Sequence, residues 1–295
     1  MTTSSGLALV DKPGGLTSHD VVARLRRVLH EKRIGHAGTL DPMATGLLIV
    51  AVGPATRLLR FAQARTKRYS GTVVLGVATD SLDADGEVLA TSTVPDLDVA
   101  MVNAAAAAMV GAQRQVPPMV SALKVGGRRL HELAREGIEV ERAPRDIVIE
   151  DFSLRPTSRP EVWDFEVTCS VGTYVRVLLS DLSVRLGTVG HLSALRRTAS
   201  GAHRVEDALT LAAIEALDDP RSALLPARGL LEGLAAVSLD DPDVMRMRRG
   251  QRLRLSEDPA GDEVAALDEA GTLVGVLRRR GDEWQPDVVL ATEAS

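Results

Sequence analysis

The chain has 295 residues, 45% of them hydrophobic and 25% charged, which predicts a folded protein with a large core. Its apolar runs, such as LLIVAV at 47–52, are much shorter than the roughly 20 residues of a membrane-spanning helix, so we expect no membrane partner. The amino-terminal residues lack a basic leader, and we expect a cytoplasmic protein. The single cysteine, Cys169, excludes an internal disulfide, and the scattered histidines predict no metal site.

The net charge of −5 is distributed unevenly along the chain. Lysine and arginine outnumber acids in residues 1–68, whereas residues 69–110 contain acids and no bases. A second basic run, MRMRRGQRLRL, occupies residues 245–255. Because local charge sets the local field, a nucleic acid remains a plausible partner despite the negative total.

In chain order, the first element is a short strand at 7–10, followed by a helix that Thr17 or Ser18 can cap. The run GLLIVAV predicts a buried strand, and RYSGTVVLGVAT (68–79) predicts one long strand in which Gly71 and Gly76 mark bends or close backbone approach. The acidic DSLDADGEV that follows predicts a solvated hairpin, and residues 98–111 predict a helix.

Residues 116–145 combine prolines, paired glycines and a short charged helix, which indicates a mobile excursion from the core. Further strands are predicted at 145–154 and 161–171, and residues 172–187 predict a strand end or turn that leads into a helix. Residues 191–201 return toward the core, and residues 205–217 predict a further helix.

A connector at 218–232 leads to short apolar runs separated by turns, which are typical of a small β-barrel-like domain. The fold class is therefore α+β, with a mixed, mainly antiparallel sheet, and we expect domains at 1–228 and 233–295. No glycine-rich phosphate loop follows a strand, so no nucleotide cofactor is predicted.

The stretch GHAGTLDPMATG (35–46) places one carboxylate, Asp41, between two glycine-rich segments. One interpretation is an ordinary turn, since Asp before Pro often begins one. The other is a loop that presents His36 and Asp41 for chemistry while the glycines allow another molecule to approach closely. This stretch alone leaves both interpretations open.

Six ordered stretches make the chain resemble the TruB family of tRNA pseudouridine synthases, and the carboxy-terminal part resembles a PUA domain. The matching stretches are DKPGGLTSHDVV, KRIGHAGTLDPMATGLL, TKRYSGTVVLGVATDSLDADGEV, VPPMVSALKVGGRRLHELAREG, GTYVRVLLSDL and HLSALRRTASG. The resemblance implies a pseudouridine-synthase catalytic domain over 1–228, with 116–145 as an RNA-clamping insertion, and an RNA-binding domain over 233–295. It also implies an isomerase that converts uridine 55 in the TΨC loop of tRNA without cofactor, metal or guide RNA.

The same resemblance assigns three catalytic residues. Asp41 matches the family's catalytic aspartate, which must be ionised to attack either C6 of the base or C1′ of the ribose. Arg176 matches the arginine that pairs with this carboxylate and keeps it charged. Tyr69 matches a tyrosine whose ring can stack on the target base and whose hydroxyl can help move a proton.

RNA-binding positions follow from the same matches. His36 is implied to enter the space vacated when the uridine is flipped out of its stack. His131 departs from the family, which more often has tyrosine at that position. Other positions implied to contact substrate or RNA are Lys12, Asp80, Lys124, Arg128, Tyr174, Leu195 and Arg196, and Arg129 and Arg197 are either phosphate contacts or part of a solvated surface.

The sequence is also compatible with three alternative functions. A non-catalytic RNA-binding or RNA-folding protein would use the same groove, and a guide-RNA-dependent synthase would share the core. A glycoside hydrolase would need two facing carboxylates, of which only Asp41 is evident. We expect the partner to be the TΨC stem-loop of tRNA and the protein to be a monomer.

Overall fold

The structure is a computed structural model that describes residues 5–121, 123–130, 133 and 136–290. The chain divides into two compact units. The first unit comprises Met1–Pro42, Leu47–Ala64 and Gly201–Ser295, and the second comprises Met43–Gly46 and Arg65–Ser200. The predicted domain limits at 228 and 233 remain a prediction.

The described strands are β1 (Gly6–Lys12), β2 (Ile34–Ala37), β3 (Thr45–Val52), β4 (Lys67–Leu75), β5 (Val77–Thr79), β6 (Val88–Thr91), β7 (Gly111–Gln115), β8 (Lys124–Val125), β9 (Arg128–Arg129), β10 (Arg145–Pro156), β11 (Val162–Cys169), β12 (Gly190–Ser200), β13 (His203–Arg204), β14 (Leu209–Thr210), β15 (Ala236–Ser238), β16 (Glu263–Leu267), β17 (Leu273–Arg280) and β18 (Glu283–Val289). The described helices are α1 (Ser18–Val28), α2 (Leu59–Gln63), α3 (Val99–Ala107), α4 (Val175–Arg185), α5 (Leu211–Glu215) and α6 (Asp241–Arg248), with 3-10 helices at Gly53–Leu58, Val205–Asp207, Pro220–Ala223 and Ala227–Leu231.

The first unit contains a mixed sheet in which β1 and β3 are neighbours, β14 pairs parallel with β1 and β2 pairs antiparallel with β3. Helix α1 packs against this sheet through Val21, Val22 and Leu25. The helix begins with a capping box, because the Thr17 hydroxyl accepts from the Asp20 N–H and the Asp20 carboxylate accepts from the Thr17 N–H. The prediction that Thr17 or Ser18 caps a helix here is confirmed, with Thr17 in that position.

The first unit also contains the four-stranded sheet β15-β16-β17-β18. A core that includes Met247, Leu253 and Trp284 supports this sheet, and Val276 and Val288 join a second cluster with Leu7 and other residues of the unit. The small β-rich structure predicted at the carboxyl end is therefore present, and the α+β class is confirmed.

The second unit contains antiparallel strands in the order β12-β4-β11-β10-β7. Thr45 and Gly46, the first residues of β3, pair parallel with Arg196 and Arg197 of β12. Strands β5 and β6 form a separate hairpin. Helices α3 and α4 belong to the same unit.

Three predicted elements are corrected. The single strand at 68–79 breaks at Gly76, whose φ of +88° turns the chain out of β4 and into β5. Of the helix predicted at 205–217, only Leu211–Glu215 is α-helical, because Leu209 and Thr210 pair with β1 and the Thr210 hydroxyl caps the helix. The connector at 218–232 contains two 3-10 helices, and Leu230 and Leu231 are buried in the core.

No helix in the described part of the chain is long and apolar enough to span a membrane.

The close approach of β3 and β12 gives a prediction for Gly46. Its φ is +98°, and a Cβ there would lie 2.3 Å from the Arg197 carbonyl oxygen. Gly172 has a similar φ of +88°, but a Cβ there would meet nothing within 4 Å. We expect Gly172→Ala to lower the free energy of unfolding by about 1–2 kcal/mol, the cost of a left-handed backbone, and Gly46→Ala to lower it by clearly more. Urea denaturation of both variants measures the difference, and equal losses would show that the strand contact imposes no constraint.

Candidate active site

The loop that carries Asp41 is held by the turn that precedes helix α1. The Lys12 ammonium donates to the carbonyl oxygens of Pro13 (2.9 Å), Leu16 (2.6 Å) and Pro42 (3.2 Å). The Gly15 N–H also donates to the Pro42 carbonyl, at 2.8 Å. The main chain that follows Asp41 is therefore tied to residues 12–16.

The residue before Asp41 is held as well. The Leu40 N–H donates to Ser18 Oγ at 2.9 Å, and Ser18 Oγ lies 3.3 Å from the Leu40 carbonyl oxygen. Ser18 is the first residue of α1 and is buried, so the helix start fixes its position. Both neighbours of Asp41 are thus anchored, while Asp41 itself is half-buried.

The position of Lys12 corrects an expectation. Its side chain has no exposed surface, whereas a phosphate contact requires an accessible ammonium. The structure instead gives Lys12 a role in shaping the loop. Arg197 is also buried, with 1% of its surface exposed, so it does not belong to a solvated surface.

His36 lies in β2, opposite Val50 of β3, and is half-buried. Its ring meets that of His19 edge to face, with centroids 5.4 Å apart and planes at 82°. Gly35 before it packs internally, because a Cβ there would lie 2.8 Å from Leu59 Cδ1, and Gly38 has a φ of +86°. Internal packing therefore explains the glycine at 35, and chain reversal explains the glycine at 38, without the approach of another molecule.

Tyr69 is the third residue of β4 and lies between Val167 of β11 and Arg197 of β12. Directly paired residues share a face of the sheet, so the Tyr69 and Arg197 side chains point to the same side. Leu195 is paired with Gly71 in the same way. Tyr69 and Leu195 are both almost completely buried.

Arg176 is the second residue of helix α4 and is 3% exposed. Its Nη1 lies 3.1 Å from Asp83 Oδ2 and donates to the Ser81 carbonyl at 2.8 Å, while Nη2 donates to the Val120 carbonyl at 2.9 Å. The planar guanidinium is thus fixed in orientation by several acceptors. Its predicted pairing with Asp41 remains a prediction.

The start of α4 is held by a side-chain amide. The buried Gln115 donates to the Tyr174 carbonyl at 3.1 Å, and the Tyr174 N–H donates to its Oε1 at 2.8 Å. Tyr174, the N-cap residue of α4, is half-buried. This pair of bonds fixes the main chain two residues before Arg176.

Asp83 is a site residue that the sequence reasoning missed. The sequence predicts a solvated hairpin at DSLDADGEV, yet Asp83 is 5% exposed and accepts from Ser81 Oγ at 2.5 Å and from the Asp85 N–H at 3.1 Å. A buried arginine requires an acidic partner, but the burial of Arg176 is visible only in the structure, so no local signal identifies Asp83. Asp80 is exposed, and its carboxylate accepts from the Glu87 N–H within the turn.

A cavity of about 250 Å³ opens in the second unit beside these residues. Arg196 lines it and is half-buried, with Nη1 3.5 Å from Thr45 Oγ1. The cavity is lined by Met43, Thr45, Ser70, Gly71, Ala84, Asp85, Ser193, Ala194, Leu195 and Arg196. The lining therefore combines hydroxyl residues, one acid and one base with small and apolar residues, a combination suited to a polar ligand.

Lys67 and Cys169 lie opposite each other in β4 and β11 and are both buried. Burial and the nearby Arg197 charge lower the pKa of Lys67 to about 8. Burial raises the pKa of Cys169 to about 11, so its thiol is protonated at neutral pH, as expected of a structural cysteine.

The predicted insertion at 116–145 is described in part. The exposed Arg128 forms an ion pair with Glu136, and β8 and β9 form a short hairpin that pairs Lys124 with Arg129. Exposed ion pairs contribute little stability, so Arg128 can exchange Glu136 for another anion at small cost. The side chains of Lys124 and Arg129, and all of His131, lie outside the described residues.

The predicted site residues therefore form two sets, one in each unit. Lys12, His36 and Asp41 belong to the first unit. The second unit holds Tyr69, Asp80, Lys124, Arg128, Tyr174, Arg176, Leu195 and Arg196. In the part of the chain that the structure describes, no cluster of three or more His, Cys, Asp or Glu side chains is arranged to hold a metal ion.

Comparisons with known proteins agree with these features. A family model described as TruB family pseudouridylate synthase (N terminal domain) matches residues 26–175. The chain is 55% identical to tRNA pseudouridine synthase B of Opitutus terrae over 215 residues, which cover 73% of this chain and 89% of that protein. It is 43% identical to tRNA pseudouridine synthase B of Leifsonia xyli subsp. xyli over 288 residues, covering 95% and 94%.

Solved structures show the fold. A crystal structure of a Cbf5-Nop10-Gar1 complex matches with a TM-score of 0.75 at 24% identity, covering 100% of this chain and 85% of that chain. At this identity the likeness concerns the fold alone.

The Arg176–Asp83 contact gives a stability prediction. We expect Asp83→Asn to lower the free energy of unfolding by about 3–5 kcal/mol, because it removes the buried negative charge 3.1 Å from the Arg176 guanidinium. Glu166→Gln, which removes the exposed partner of Arg155 (3.4 Å), is the matched control, with an expected loss of about 1 kcal/mol or less. Urea denaturation measures both. If the two variants were equally stable, the buried contact would contribute no more than a surface pair.

Proposed function

Because the chain belongs to the TruB family of pseudouridylate synthases, we propose that it acts on uridine 55 of the TΨC loop of tRNA, with Asp41 as the nucleophile. The protein is an isomerase: the C1′–N1 bond of the nucleoside breaks, the base turns, and a new bond forms from C1′ to C5. The observation that supports Asp41 most strongly is its half-buried position between two anchored residues.

A nucleophilic carboxylate has to be ionised and held still. The bonds to Leu40 and Pro42 restrict the loop, so the loop loses less conformational entropy when the substrate binds. In the proposed mechanism Arg176 supplies the positive charge that keeps Asp41 ionised. Asp83 in turn keeps the guanidinium at a fixed angle.

Tyr69 is proposed to stack on the target base and to help move the proton that leaves C5. Its place in the centre of the antiparallel sheet supports this role, since a side chain on a central strand is held more precisely than one on a loop. Leu195 and Arg196 line the neighbouring cavity, with Leu195 as an apolar contact and Arg196 as a phosphate or base contact. Tyr174 is proposed to shape the same pocket.

A uridine in a folded loop is stacked, and extrusion costs a few kcal/mol. His36 is proposed to occupy the vacated space and recover part of that cost by stacking. The 116–145 insertion, with Lys124 and Arg128, is proposed to clamp the RNA from outside, so no guide RNA is needed. We further propose that the enzyme acts as a monomer in the cytoplasm.

The first prediction of this mechanism concerns Asp41→Asn. We expect pseudouridine formation to be abolished while tRNA affinity stays within about twofold of the parent, because the amide keeps the size but is not a nucleophile. Purified protein and unmodified tRNA are incubated without additives, and pseudouridine is mapped along the tRNA.

The matched control is Asp11→Asn, a half-buried acid in β1. Turnover by Asp41→Asn near the parent rate would reject Asp41 as nucleophile. Failure of the parent protein itself to modify position 55 would reject the proposed function and favour a role in RNA binding or folding alone.

The basic run at 245–255 is proposed to contact the RNA backbone through Arg248 and Arg249. Arg246 is paired with Asp243, and Arg252 and Arg254 lie 3.5 Å from Glu283. Arg248 and Arg249 are exposed, and neither forms an ion pair within the described residues. These two guanidinium groups can therefore meet phosphates without first losing an acidic partner.

We expect the double variant Arg248→Gln, Arg249→Gln to reduce the slope of log affinity against log salt by roughly 1.4–1.8, since each phosphate contact contributes about 0.7–0.9. Filter binding of tRNA at several salt concentrations gives the slope. Arg246→Gln, which removes an arginine engaged with Asp243, is expected to change it little. An unchanged slope in the double variant would show that this run does not touch phosphates.

A further inference from the structure

We infer that His19 is a positioning residue for His36, a role that rests on the proposed function of His36 in base flipping. The two imidazoles meet edge to face, with centroids 5.4 Å apart and planes at 82°. This is a favoured arrangement of aromatic rings, because the positive edge of one ring faces the negative face of the other. His19 therefore restricts the orientations available to the His36 ring.

Both rings are carried by fixed elements of the first unit. His19 is the second residue of helix α1, whose start is set by the Thr17–Asp20 capping box. His36 is held in β2 by its pairing with Val50. The ring contact thus joins a helix start to a strand, and neither element can rotate freely.

The start of helix α1 also positions the main chain next to Asp41. Ser18 holds Leu40, the residue before Asp41, and the adjacent His19 holds His36. One turn of helix therefore sets both the proposed nucleophile and the ring proposed to replace the flipped base. A shift of this turn would move the two groups together, which keeps their relative placement constant.

The exposure of the two rings indicates what the contact does. His19 is exposed and His36 is half-buried, so the pair is not a core contact and contributes little to folding. A half-buried ring that must stack in one orientation loses rotational freedom when it does so. Contact with His19 removes part of that freedom before RNA binds, so less is lost during base flipping.

Single-turnover rates test this role on two RNAs, a TΨC stem-loop and a variant in which the target uridine is already unstacked. We expect His19→Ala to slow the stem-loop reaction by roughly two- to tenfold, the range that corresponds to one edge-to-face contact, and the unstacked substrate by less. His19→Phe, which keeps an aromatic edge, is expected to restore most of the rate. His30→Asn is the control, since this exposed histidine lies roughly 16 Å away along the helix axis and its φ of +51° suits asparagine.

A second readout is independent of activity. The ring-proton NMR signals of His36 are expected to shift in His19→Ala, while those of His191 and His203, which bond to backbone carbonyls, stay in place. Unchanged His36 signals, a stem-loop rate within the error of the parent, equal losses on both RNAs, or no rescue by phenylalanine would each overturn the inference. If the parent protein formed no pseudouridine, the proposed function would fail, and the NMR comparison would still decide whether the His19 and His36 rings lie in contact.

Discussion

The geometry of the Asp41 loop depends on one buried charge. Lys12 has no exposed surface, and an ammonium removed from water is tolerated only when its protons are hydrogen-bonded. Its acceptors are carbonyls on both sides of the loop, Pro13 and Leu16 before helix α1 and Pro42 after Asp41. Separating the two segments would take the Pro42 carbonyl away from the buried ammonium. A buried side chain thereby sets the position of the main chain beside the proposed nucleophile.

In the second unit, a buried ion pair fixes the position of a charged side chain in a similar way. Arg176 is buried against Asp83, and Gln115 holds the main chain of Tyr174 just before it. Buried pairs of this kind add little net stability, but they specify one orientation of the guanidinium, because any other leaves a charge unpaired. These polar contacts therefore fix the positions of the groups that they join and add little stability. The hydrophobic core around β4 and β11 supplies the stability that offsets their desolvation.

Sequence patterns predict the helices and strands that are determined by residues within the element itself. Thr17 and the spacing of Val21, Val22 and Leu25 were enough for helix α1, and alternating apolar runs were enough for the carboxy-terminal strands. The sequence patterns gave a wrong prediction where the structure of a segment depends on residues far away in the chain. Leu209 and Thr210 form a strand because β1 lies beside them, and Asp83 is buried because an arginine far along the chain needs it. Lys12, Arg197 and Asp83 all belong to residue types that are usually exposed, so only the fold reveals their burial.

The burial of Asp83 also bears on the choice between chemistries. A glycoside hydrolase requires two carboxylates free to act as acid, base or nucleophile. Asp83 is a buried carboxylate of the second unit, but it already accepts from Arg176, Ser81 and Asp85. These three contacts hold the Asp83 carboxylate inside the protein, where it serves the guanidinium of Arg176. The proposed mechanism uses one carboxylate, Asp41, and a single nucleophile suits an isomerisation in which the base leaves and returns to the same ribose without the entry of water.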